Sequence, residues 1–133
     1  MGLVRGVRGA TLAVLLRCAL GHTEDEPFDV RMKDAQQNEQ SPAGKLYDAA
    51  FQKEFGAGFA PRINECAKRT GGPHSDPFDV LMKLSATGEV EEALVRPRTQ
   101  FSECFTELSK KTTFPKPPSA GYWVVARMRF SQQ

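Results

Sequence analysis

The sequence predicts an α+β domain: N-terminal helices, then a β-β-α-β core whose three-stranded sheet has helices packed on one face. Three observations predict it. Apolar residues recur at spacings of three and four over 46–67 and again over 101–108, which is helical periodicity. They alternate singly over 78–84 and 122–130, which is strand periodicity. Breakers separate these stretches: Gly71-Gly72-Pro73, Ser85-Ala86-Thr87-Gly88 and the proline-rich Phe114–Gly121.

The chain has 133 residues, enough for one domain and short of two. A net charge of +2 is too small to argue for a nucleic-acid partner. Residues 1–21 differ from the rest. Arg5 and Arg8 precede the apolar run Ala10–Leu16, and small residues stand at Ala19 and Gly21. That layout predicts a cleaved signal peptide, although Arg17 shortens the apolar run. Cys18 raises lipid attachment as an alternative, with Arg17 standing where a small residue is wanted. Cleavage removes three of the 18 basic residues and leaves 15 against 16 acidic ones, close to neutral. No run of apolar residues is long enough to span a bilayer. The expected location is therefore periplasmic or secreted.

Residues 22–40 are polar and rich in Gln, and are expected to form a flexible leader, extended or loosely helical. Within it, EPFDVRMK (26–33) echoes DPFDVLMK (76–83). The echo stops after eight residues and no glycine turn or return strand follows the first copy. It predicts no duplication. Either it is a coincidence in the leader, or it pairs weakly with an exposed edge and competes for the partner site.

The single domain is expected over 41–133. Ser41-Pro42 is a helix start. Leu46, Tyr47, Ala50, Phe51 and Phe55 form one apolar face. A second helical piece carries Phe59, Ile63, Cys66 and Ala67 and stops at Gly71. Phe78, Val80, Met82 and Leu84 are the inner face of the first strand. Gly88 supplies the turn, and the return strand runs from Val90 to Val95 with a bulge expected at Glu91-Glu92. Thr99 caps the next helix, whose inner face is Phe101, Cys104, Phe105 and Leu108. The last strand puts Tyr122, Val124, Ala126, Met128 and Phe130 on one face. It puts Trp123, Val125, Arg127 and Arg129 on the other. A hairpin followed by a crossover helix makes the second and third strands parallel, with the first between them.

Gly88 and Val90, Phe114 and Pro117, Gly121 and Phe130 form an ordered set that resembles the C-terminal domain of the TonB family. The resemblance covers 77–130. It implies a periplasmic domain that binds an extended segment of a partner protein, the segment adding as a strand beside the last strand. A TonB transducer also needs an uncleaved membrane anchor and a long Pro-rich spacer. The expectation here is a stand-alone exported TonB-like domain without an integral membrane span.

Few residues point to catalysis. His22 and His74 lie beside loops, and His74-Ser75-Asp76 is sequential rather than assembled by a fold. No ligand pair for a metal stands at helical spacing, and no cofactor is implied. Removal of Cys18 leaves Cys66 and Cys104, an even pair expected to form a disulfide between two helices. The expected partner-binding residues are Tyr122, Trp123, Val125, Arg127 and Arg129. The arginines could equally serve as charged protection of an edge. The partner is expected to be an envelope or outer-membrane protein. The alternative is a second copy of this chain in a homodimeric assembly element.

Overall fold

In the computed structural model, residues 25–72 and 76–130 are described. The expected signal peptide, His22, His74 and Ser75 lie outside them. The elements are α1 (Asp25–Gln40), α2 (Pro42–Ala57), α3 (Phe59–Thr70), β1 (Phe78–Leu84), β2 (Val90–Arg96), α4 (Gln100–Ser109) and β3 (Tyr122–Met128). The fold is α+β, with four helices and a three-stranded antiparallel sheet of order β2-β1-β3. Both outer strands pair with β1. They are thus parallel to each other across it, as the crossover requires.

Local chemistry sets the boundaries. The Ser41 hydroxyl accepts from the Gly44 N–H, and Pro42 occupies the first turn of α2. Gly71 ends α3 in the left-handed conformation with φ 89°. Thr99 and Ser102 form a reciprocal capping box at the start of α4. Gly88 has φ 88°, and a Cβ there would lie 1.9 Å from the Phe114 carbonyl oxygen. Only glycine fits that turn. The β1–β2 register shifts between Lys83 and Leu84, opposite the Val90–Glu92 stretch where a bulge was expected.

The main core lies between the sheet and α2, α3 and α4. Tyr47, Phe51 and Phe55 from α2 meet Phe101 and Phe105 from α4, over Phe78, Val80, Met82 and Leu84. Leu46 was expected on that face and instead points outward, 80% exposed. The inward stripe of α2 is Gly44, Tyr47, Phe51 and Phe55. Cys66 and Cys104 are bonded and tie α3 to α4.

Two expectations are corrected. Residues 25–40, expected as a loose leader, form the regular helix α1. Helices also cover both faces of the sheet rather than one. A second core of Phe28, Ala35, Leu81, Trp123 and Val125 lies between α1 and the far face, with Met32 and Leu94 against it. The cause is legible after the fact: Leu81, Trp123 and Val125 are three large apolar side chains on the face expected to carry no helix. Leaving them exposed would forgo roughly 1.5–3 kcal/mol each for the aliphatic residues. The first copy of the repeated phrase is therefore a helix, and the second is a strand.

Candidate interaction edge

Strand addition needs a strand whose outer edge is reachable. A three-stranded sheet has two such edges, here β3 and β2.

The expected edge, β3, is covered. Val125 and Ala126 are each 1% accessible, main chain included, and of the seven β3 residues only Arg127 is exposed. The α1–α2 elbow explains this. α1 runs on one face and α2 on the other, with Ser41 alone between them, so the chain passes around the β3 edge. Asn38 Nδ2 donates to the Trp123 carbonyl at 3.0 Å. Ala35, Asn38, Gly44 and Tyr47 close over Tyr122–Val125 and leave a cavity of only about 10 Å³. The elbow is tight: a Cβ on Gly44 would lie 1.6 Å from the Asn38 carbonyl oxygen.

Each residue expected to meet a partner therefore has a partner within the chain. Trp123 lies under α1, with the Arg31 guanidinium 5.2 Å from its ring centroid. Val125 packs in the same cluster. Arg127 makes a two-point ion pair with Glu39, at 3.0 and 3.3 Å. That bond holds the guanidinium even more firmly protonated than usual. Arg129 is exposed and lies 2.9 Å from Asp79. Tyr122 faces the main core, its ring edge against Tyr47 at 5.3 Å. Four of the five expected residues are thus engaged in holding α1 or the core, and Arg129 remains at the end of the strand.

The other edge differs. Every residue of β2 is partly or fully exposed. Beside it runs a groove of about 490 Å³, floored by Ala93, Leu94 and Val95. Pro27 and Phe28 of α1 form one wall. Arg98, Thr106 and Glu107 form the other. Leu94 pairs with Leu81 and shares the α1 face, whereas Ala93 and Val95 pair with Met82 and Val80 on the α4 face. The charges along this edge are ordered. Glu91 and Glu92 come first, the apolar triplet follows, and Arg96 and Arg98 come last. Arg96 is held in place by Asp29 at 2.7 Å and by the Phe28 ring, 4.3 Å from the guanidinium carbon.

No protein-family model, no curated protein and no solved structure matches this chain.

Other chemistry is sparse. Among the described residues, no group of three or more His, Cys, Asp or Glu is placed to hold a metal ion. No described helix is long and apolar enough to cross a membrane. Arg62 is buried and donates to the Phe55 carbonyl and the Thr112 hydroxyl. Burial lowers its pKa, with Glu54 partly offsetting the effect. It joins α3 to the end of α2 and to the segment after α4.

The β2 edge carries a signal of its own in the sequence. Its inner alternation is weak, its acidic and basic ends are segregated, and the residues before it, unlike Asn38–Gly44 beside β3, supply no elbow.

Proposed function

We propose that this domain is an exported, non-enzymatic binding module that takes up an extended segment of a partner protein by strand addition, with β2 as the receiving strand. The observation that carries the proposal is the contrast between the two edges: a groove along Ala93–Val95, and a β3 edge closed by the α1–α2 elbow. Main-chain groups of β2 would supply affinity, and the two groove walls would sort side chains that alternate above and below the added strand.

Support for a TonB-like kinship is the ordered set from Gly88 to Phe130. Two of its members are physically coupled, because the Phe114 N–H donates to the Gly88 carbonyl at 2.9 Å. The receiving edge proposed here is not the one that the resemblance implies. Support for export is the Cys66–Cys104 bond, since such bonds persist in oxidising compartments.

The test begins with peptides selected from a random displayed library on the immobilised domain. Binding is then measured to Ala93→Pro and Leu94→Pro variants. N–H groups of adjacent strand residues point to opposite edges, so one of these two prolines removes an outward donor while leaving the β1 ladder intact. Binding lost in that variant supports the proposal. Binding retained in both, by folded protein, contradicts it.

A further inference from the structure

The order of charges on β2 also names the segment that fits it. We propose that the occupant is β2 of a second copy of this chain, added antiparallel about a two-fold axis at Leu94. This rests on β2 being the receiving edge and goes further by fixing the partner.

An antiparallel neighbour related by a two-fold axis pairs residues whose numbers sum to a constant. With the axis at Leu94, that residue faces its own copy. Ala93 then faces Val95 of the second copy, and Glu92 faces Arg96, each pair occurring twice. Glu92, Leu94 and Arg96 alternate with Ala93 and Val95, so both charged pairs and the Leu94 contact fall on the α1 face. Ala93 and Val95 fall on the α4 face. A parallel copy would instead set acid beside acid and base beside base. The strand is its own complement only when reversed.

The surroundings permit this. Arg96 is already positioned by Asp29 and Phe28, with its side chain 41% exposed, so it can accept a second carboxylate without reordering. The acidic residues on the α4 wall are neutralised within the chain: Glu103 lies 2.8 Å from Arg98, and Glu107 lies 3.3 Å from Lys110. Two copies would not meet as bare negative walls. The contact is isologous and closes at two, giving a six-stranded sheet with a closed β3 at each end. The acidic end of β2 would discourage other alignments, because like charges directly opposite are unfavourable.

The experiment is sedimentation equilibrium on three chains. The wild type is expected to dimerise. Glu92→Arg sets arginine against arginine twice. The double variant Asp29→Arg with Arg96→Glu keeps the pair within the chain, reversed, and sets glutamate against glutamate twice. Each variant alone should weaken the dimer about tenfold, since two cross-strand charge pairs turn from attraction to repulsion, at roughly 0.2–1 kcal/mol for each attraction lost and each repulsion gained. An equimolar mixture restores both pairs and should return affinity to within about threefold of wild type. Unchanged circular dichroism and Trp123 emission verify that the variants are folded. A wild type that stays monomeric at its highest soluble concentration overturns the inference, as does a dimer that the variants do not weaken. In either case the proline variants with selected peptide decide separately whether β2 is a receiving edge.

Discussion

Asn38 and Trp123 are joined by a single hydrogen bond from the Asn38 amide to the Trp123 carbonyl, at 3.0 Å, and this bond sits where the chain turns from one sheet face to the other. Around it, Ala35 is fully buried and Glu39 holds Arg127. Trp123 is the only tryptophan of the chain, so its emission reports whether α1 is docked. Ala35→Glu forces a carboxylate into a fully buried apolar cluster. Burying it there costs several kcal/mol and opposes the docking of α1. The expected outcome is a red shift of Trp123 emission with the α2–α4 core intact by circular dichroism.

Gly44→Ala tests the elbow itself. The new Cβ meets the Asn38 main chain, which cannot swing aside as a side chain can. A loss of about 1–3 kcal/mol in urea unfolding is expected, typical of overpacking. Gly56, with nothing within 4 Å of an added Cβ, is the control. Gly56→Ala should stabilise the chain or leave it unchanged, because alanine is the better helix former.

Removal of the Cys66–Cys104 bond frees a loop with a sequence separation of 38. Cys66→Ala with Cys104→Ala is expected to cost about 2–4 kcal/mol in chemical denaturation. Reductant should produce a similar loss in the wild type and none in the double variant.

Tyr47 donates from its hydroxyl to the Pro115 carbonyl at 2.7 Å. Burial, with Tyr122 nearby, pushes its pKa from 10.0 up to about 12. Burial also raises that of Tyr122. A raised pKa means that the folded state holds its proton more tightly than the unfolded state. The stabilisation is complete below about pH 10 and is lost as pH rises through the window towards 12. Unfolding free energy should therefore fall with pH across that window. Tyr47→Phe should be less stable at neutral pH, through the lost hydrogen bond, and should show a shallower alkaline slope.

Much of this architecture was legible because each boundary had a local cause. Ser41-Pro42, Gly71, Gly88 and the Thr99 cap all stand where the elements begin, turn or end. α1 was harder. Its inward residues are Phe28, Met32 and Ala35, one residue per turn among acids and glutamines, too narrow a stripe to stand out. The repeated phrase shows why local sequence was not enough. In 76–83, the alternation continues into Leu84, and strands exist on both sides to pair with it. In 26–33, Asp34 breaks the alternation, Val30 is left 50% exposed, and the spacing from Phe28 to Ala35 fits a helix. The site was misplaced for the same reason. Without α1 the far face and the β3 edge are open, and only Leu81, Trp123 and Val125 argue for a cover.

The most direct test of the central claim is where a bound segment lies. The domain is labelled with carbon-13 and nitrogen-15, saturated with an unlabelled selected peptide, and examined by NMR for contacts between the peptide main chain and the labelled main chain. Cross-strand contacts are expected from the peptide to Ala93, Leu94, Val95 and Arg96, with α1 still docked over Trp123. Contacts to Trp123–Arg129 instead, with α1 displaced, would contradict it.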